Sequence, residues 1–186
     1  MLLEVALLRT TWRFHSVLAA RHCGARVPHA ILSAERSLTM PYRSTKLFRD
    51  LGPVAYRQWR ADSHCNLIHG YALSFKFTFE ADDLDARNWV VDFGGLKEVK
   101  SMLESQFDHT LLVASDDPHK DWYYEAQRRG IARVVEFDAL GCEAIASLVF
   151  EWLADWLRTD GGYGDRVRLV SVEVMEHERN SAIVVA

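Results

Sequence analysis

No apolar run in this chain of 186 residues reaches the roughly 18–20 residues that a membrane-spanning helix needs, so a membrane protein is not expected. Cysteine is scarce. Cys23, Cys65 and Cys142 lie too far apart for a disulfide framework or a Cys-x-x-Cys zinc motif, and a reducing cytoplasm is the expected compartment. Four prolines and ten glycines exclude collagen-like and low-complexity chains. There is no basic excess either: 22 Lys+Arg against 26 Asp+Glu leave a formal charge of −4, which argues against a generic nucleic-acid binder. What is present, 49% apolar and 26% charged residues, suits a soluble globular domain with a good core.

The charge is uneven. Residues 1–39 hold five arginines and only Glu4 and Glu35 as acids, a formal +3, whereas residues 40–186 carry −7. Two readings compete for this acid-poor stretch: an organellar transit peptide, or upstream sequence translated ahead of a true start at Met40. Under both, 1–39 is an N-terminal extension outside the core domain of 40–186. His15, His22 and Cys23 there lack any ligand spacing.

From His69 the core alternates strictly, with Tyr71, Leu73, Phe75, Phe77 and Phe79 on one parity, so the spacing predicts a strand with one buried face. The stretch from Lys46 to Ala61 is expected to pair with it as a hairpin across a loop near Asp62-Ser63-His64-Cys65. Leu96, Val99, Leu103 and Phe107 predict an amphipathic helix, and a second helix is expected over 121–129 before Gly130. Val134–Phe137 reads as a short strand. Ile145, Leu148, Val149, Trp152, Leu153 and Trp156 mark a helix over 142–157, ended by Gly161-Gly162. Two more strands follow, broken at Glu178-Arg179-Asn180, and Val170, Val172, Val174 and Glu176 share one parity in the first. Strands and helices segregate along the chain, so an α+β domain with an antiparallel sheet and helices on one face is predicted.

Three places could carry chemistry. Glu176 continues the parity of valines toward a covered face, where a carboxylate needs donors; a heterocycle offering two adjacent N–H groups would supply them. Alternatively it is a strand-end glutamate in solvent. Cys65 lies between His64 and His69 at a strand junction, the setting of either an activated thiol or a buried structural one. Asp108-His109 follows the first helix, and a carboxylate beside an imidazole can orient and charge-stabilise it as a proton relay. His119 and His177 have no partner by spacing and read as surface residues.

Taken in order, these pieces resemble the 6-pyruvoyl-tetrahydropterin synthase / 6-carboxy-tetrahydropterin synthase family. Cys65-Asn66-Leu67-Ile68-His69-Gly70-Tyr71 follows that family's Cys-x-x-x-His-Gly-His up to the last position. Asp92-Phe93-Gly94-Gly95-Leu96-Lys97 matches its Asp-Phe-x-x-Leu-Lys, and Phe107-Asp108-His109 its Leu-Asp-His. Leu140-Gly141-Cys142-Glu143 keeps only the glutamate of Pro-Thr-x-Glu, and Val172-Glu173-Val174-Met175-Glu176 matches Val-x-Val-x-Glu. The likeness runs from about Lys46 to Val185.

The resemblance implies a tunnelling fold, a four-stranded antiparallel sheet with two helices on one face, assembling into an oligomeric β-barrel. Active sites would lie at subunit interfaces of a homo-oligomer, tetramer or hexamer, without nucleic acid or membrane. It implies a lyase acting on 7,8-dihydroneopterin triphosphate. Cys65 would be the proton-transfer thiol, Asp108 and His109 its relay, Glu176 the pterin anchor and Glu143 a second substrate contact. The branch expected is the 6-carboxytetrahydropterin synthase of queuosine precursor synthesis. The alternatives are a 6-pyruvoyl-tetrahydropterin synthase-like phosphate lyase and a non-catalytic pterin-binding relative. The family's zinc sits on three histidines. Here only His64 and His69 are available, with Asp62 or Tyr71 as oxygen donors, so zinc retained and zinc lost both stand open.

Overall fold

The phenylalanine alternation builds the central strand of the molecule. In a computed structural model, which describes residues 40–49 and 51–186, Phe75, Phe77 and Phe79 lie wholly inside on strand β4 (Ser74–Ala81). The reading of 1–39 as a separate extension lies outside the described residues.

β4 is flanked by β1 (Tyr42–Phe48) on one side and β7 (Arg168–His177) on the other, and β8 (Asn180–Val185) completes an antiparallel sheet ordered β1-β4-β7-β8. Helices α1 (Lys97–Phe107) and α3 (Cys142–Arg158) cover its inner face. Their buried rows, Val99, Leu103 and Phe107 on one and Ile145, Val149, Leu153 and Trp156 on the other, are the residues the helical spacing selects. The Phe75 and Phe107 rings meet at 5.0 Å between centroids. The expected α+β architecture, four antiparallel strands with two helices on one face, is therefore present.

Two expectations need correction. The predicted hairpin pairs as expected, but both arms break, at Gly52-Pro53 and Ala72-Leu73. β1 stays with β4, while β2 (Val54–Tyr56) pairs with β3 (His69–Tyr71) in a different sheet. Gly52, at φ +103°, makes the turn that sends the chain from one sheet to the next. That second sheet, ordered β3-β2-β5-β6, also contains β5 (Thr110–Ala114), an apolar run too short for periodicity to report, and β6 (Val134–Phe137). β5 and β6 are parallel and joined by α2 (Lys120–Arg128), so helices and strands alternate here rather than segregate.

The parity of β7 also shifts. Val172 and Val174 are fully buried, but a bulge opposite Thr78/Phe79 leaves Val170 unpaired with β4 and puts Leu169 on the inner face. A second irregularity falls at Glu176: Met175 pairs with Ser181 and His177 with Asn180, leaving Glu176 as the extra residue.

Candidate active site

β2 and the residues just beyond it gather the thiol turn and the start of α3. After Tyr56 the chain continues through Arg57 and Gln58, and the Gln58 N–H donates to the Cys65 carbonyl at 2.8 Å. Cys65 lies on a single 3-10 turn, His64–Asn66, capped by the Ser63 hydroxyl, which accepts from the Cys65 N–H. The Gln58 side-chain amide donates to the Leu140 carbonyl at 2.7 Å, passing over Gly141. Gly141 is at φ +117°, and a Cβ there would sit 2.4 Å from Gln58 Nε2, so only glycine permits this crossing. Cys142 and Glu143 follow at once as the first turn of α3.

Above this scaffold lies a cluster of hydroxyl, thiol and carboxylate groups. Tyr56, buried on β2, stacks on Tyr71 of β3 at 4.2 Å and 12°. The Tyr71 hydroxyl is hydrogen-bonded to His69 Nε2, and His69 Nδ1 donates to the Leu67 carbonyl at 2.6 Å. A carbonyl only accepts, so Nδ1 carries the ring proton and Nε2 takes the Tyr71 proton. Burial, and then the negative charge of Glu176, push the Tyr71 phenol up to about 12, and Cys65 adds to the rise while a hydrogen bond from Tyr56 opposes it. Burial and the neighbouring Cys142, Tyr71 and Glu176 raise Tyr56 as well. The Cys142 thiol is pushed up to about 11 by burial, then by Glu176 and Glu143. Glu176 thus neighbours Tyr56, Tyr71 and Cys142, with Cys65 beside Tyr71 and Glu143 beside Cys142.

Glu176 reaches this cluster from its bulge on β7. A bulge turns a side chain away from the regular alternation. The carboxylate is half-buried, and Asn180 Nδ2 donates to it at 3.4 Å. Glu176 thus borders the cluster through a bulge and not through the regular alternation that the valine parity suggested.

Asp108 and His109 lie elsewhere on the chain. They bond to each other, Asp108 Oδ1 with His109 Nδ1, between the end of α1 and the start of β5. His109 N–H donates to the Pro53 carbonyl at 2.8 Å, and His109 itself holds φ +52°, a backbone region that non-glycine residues seldom occupy. Asp108 is seated against Gly52, where a Cβ would collide with its Oδ1 at 1.7 Å. The pair is thus tied to the N-terminal end of β2 and Cys65 to its C-terminal end. Pro53 to Gln58 is five residues of extended chain, roughly 16 Å at about 3.3 Å each. Among the described residues no hydrogen bond or ion pair joins the pair to Cys65, and the His109 side chain is 77% exposed.

His64 is exposed on the 3-10 turn. His119 and His177 are exposed as expected, His177 Nδ1 accepting from Arg179 N–H at 3.0 Å. Sequence reasoning missed Tyr56 and Cys142. Tyr56 shares the buried parity of Val54, a two-residue signal too short to use. Cys142 stands three places before Ile145, the first residue of α3's apolar row, and only its neighbour Glu143 drew notice.

The profile of the 6-pyruvoyl tetrahydropterin synthase family matches residues 53–186. The chain belongs to this family. Among curated relatives, the 6-carboxy-5,6,7,8-tetrahydropterin synthase of Aquifex aeolicus is 26% identical over 121 residues, 63% of this chain and 74% of that enzyme. The enzyme of the same name from Rickettsia felis is 33% identical over 54 residues, 28% of this chain. That match spans only 39% of the Rickettsia enzyme's length. In three dimensions the chain superposes on an uncharacterised Wolinella succinogenes protein with a TM-score of 0.69 at 19% identity, covering 78% of this chain and 98% of that one. The 6-pyruvoyl tetrahydropterin synthase of Plasmodium vivax gives a TM-score of 0.54 at 15% identity, covering 77% and 97%. At these identities the structural likeness speaks to the fold.

The family's zinc can be tested against these side chains. Zinc needs at least three protein ligands converging on one point. Among the described residues no three His, Cys, Asp or Glu side chains do so. His69 has both ring nitrogens engaged, and a phenol raised to about 12 is a poor source of the phenolate a metal would require. The set His64, His69, Tyr71 does not fit a zinc ion.

Proposed function

We propose that this family member is a 6-carboxytetrahydropterin synthase-like lyase that converts 7,8-dihydroneopterin triphosphate and water to 6-carboxytetrahydropterin, acetaldehyde and triphosphate, the first side-chain carbon staying on the ring as the carboxyl group. One observation carries the reading: Glu176 acts on Tyr56, Tyr71 and Cys142 together, while Cys65 acts on Tyr71 and Glu143 on Cys142, so three residues the family motifs select from distant parts of the chain border one tyrosine–cysteine cluster.

In this reading the Glu176 carboxylate accepts the ring N–H and exocyclic amino group of the pterin side by side, a bidentate pairing that fixes the ring plane. Glu143, at the first turn of α3, is the second substrate contact. Cys65 moves the proton on the side-chain carbon, with its thiolate as the base. Asp108 orients and charge-stabilises His109, which exchanges protons with the reacting centre. Because that pair is held at the far end of β2 with an exposed ring, we assign it to the site of a neighbouring subunit. β1 and β8 are the outer strands of the antiparallel sheet, where Leu47, Ile183 and Val185 are exposed, and strand edges of this kind suit barrel closure by other copies. The thiols of Cys65 and Cys142 are free, as a reducing cytoplasm would keep them.

The test is turnover of 7,8-dihydroneopterin triphosphate by the purified protein, followed by chromatography of the pterin product. Cys65→Ala is expected to abolish turnover with binding retained, and Glu176→Gln to weaken pterin binding. The occupied His69 ring favours a second reading, a pterin-binding relative without lyase chemistry. That reading predicts a Glu176-dependent rise in Tm with pterin but no product. Neither turnover nor a thermal shift would defeat both.

A further inference from the structure

The thiol turn is held by a second, independent device. Arg57 projects from the end of β2 and its guanidinium is fully committed. Nε and Nη2 donate to the two oxygens of Asp117 at 2.9 and 2.7 Å, a bidentate fork, while Nη1 donates to Asn66 Oδ1 at 3.0 Å and the Asn66 carbonyl at 3.3 Å. Asp117, in the turn between β5 and α2, also accepts the His119 N–H at 2.8 Å and the Tyr123 hydroxyl at 3.4 Å. The pair is withdrawn from water, with side chains 14% and 2% exposed.

A buried ion pair is weak grounds for stability, because desolvating both charges offsets most of their attraction and apolar residues of the same volume often do as well. What such a pair does supply is direction: a planar fork gripping one carboxylate cannot rotate, and its third arm is then aimed. Here the third arm takes both polar groups of Asn66, the residue after Cys65. The bond from Gln58 N–H to the Cys65 carbonyl fixes the adjoining Cys65–Asn66 peptide. Beyond the turn, Leu67, Ile68 and Trp122 wall an open cleft of about 520 Å³.

We propose that the Arg57–Asp117 pair is a positioning device for the Cys65 thiol, acting through Asn66 and anchored in the β5–α2–β6 unit. Its bearing on catalysis rests on the proton-transfer role given to Cys65 above. A displacement near 1 Å at a reacting group costs on the order of 100-fold in rate, so small slack in this turn matters.

The decisive variant is Asn66→Ala, which removes the side-chain acceptor, the shorter of the third arm's two contacts, and leaves the ion pair intact. The rate of Cys65 alkylation by iodoacetamide at a fixed pH, read on the Cys65 peptide by mass spectrometry, is expected to rise at least threefold. Turnover of dihydroneopterin triphosphate should lose about tenfold or more in kcat with KM within twofold, and Tm should hold. Asn66→Asp, which restores an acceptor for Nη1, should return both toward wild type. Arg57→Lys keeps a charge opposite Asp117 but has no fork to reach Asn66, and should behave like Asn66→Ala. An unchanged alkylation rate in Asn66→Ala and Arg57→Lys overturns the proposal, whatever turnover does. If instead Cys65→Ala keeps full turnover while alkylation still responds to Asn66, the device stands and the catalytic role of the thiol falls.

Discussion

The two sheets of this molecule divide its work. The antiparallel sheet β1-β4-β7-β8 is a packing surface: Phe75, Phe77, Phe79, Val172 and Val174 have no exposure, and two amphipathic helices close over them. The mixed sheet β3-β2-β5-β6 is short-stranded, with three-residue β2 and β3, yet it carries or borders the thiol turn, the tyrosine pair and the Asp108–His109 step. Long regular strands bury area; short strands bring many chain reversals, and hence many side-chain donors, close together. A substitution on the inner face of the first sheet should therefore register as stability, and one in the second, or at the Glu176 bulge that β7 lends to the site, as chemistry.

The largest effect expected is Phe77→Ala. Phe77 is fully buried, with Phe48 at 5.8 Å and Phe79 at 6.3 Å between ring centroids. Losing that volume should cost about 3–5 kcal/mol in urea denaturation. The folded fraction that remains should bind pterin normally. Loss of affinity in that fraction would break the division between the sheets.

Gly52→Ala comes next and acts at the seam. The backbone there is at φ +103°, and the new Cβ would land on the Asp108 carboxylate. The backbone strain alone is of order 1–3 kcal/mol. Turnover should fall further than that loss implies, since Asp108 must move and take His109 with it. Denaturation and single-turnover kinetics on one preparation check the two halves of this statement.

These contrasts also explain what could be read from residues alone. The phenylalanine strand and the rows on α1 and α3 were legible because burial imposes a period over eight or more residues. Cys65, Asp108, His109, Glu143 and Glu176 were legible as motif positions of the family. β5 was not, since five residues cannot display a period, and the breaks that set β2 and β3 apart from the longer strands expected there left no mark in the alternation. Tyr56, Arg57 and Asp117 stayed hidden for another reason: their partners lie 15 to 60 positions away and only the fold brings them together. The zinc expectation met the same limit, because spacing cannot reveal that His69 is occupied by Leu67 and Tyr71.

Tyr71→Phe sharpens the comparison on a smaller scale. The ring still stacks on Tyr56, so packing survives, but the hydroxyl shared among His69, Tyr56 and Glu176 is lost. A loss of about 0.5–1.5 kcal/mol is expected, the worth of one such hydrogen bond. Pterin affinity should change by more than this, because Glu176 loses a partner at the point where the ring would dock. Isothermal titration with a pterin, beside a denaturation curve, separates the two.

The smallest effect is one of slope. Cys142 titrates near 9.0 when the chain is unfolded and is pushed up to about 11 in the fold by burial, then by Glu176 and Glu143. Between those values the unfolded chain has released a proton that the folded one keeps. Stability from this thiol is then full below pH 9 and is lost as pH rises through 11. Cys142→Ala should flatten that part of the alkaline limb, measured by urea denaturation at closely spaced pH. Tyr71, raised from 10.0 to about 12, adds a limb of the same sign that begins one unit higher, so the flattening should be clearest between pH 9 and 10. A limb unchanged in that window would mean the Cys142 thiol is open to water and does not border the Glu176 carboxylate, which would separate α3 from the tyrosine cluster.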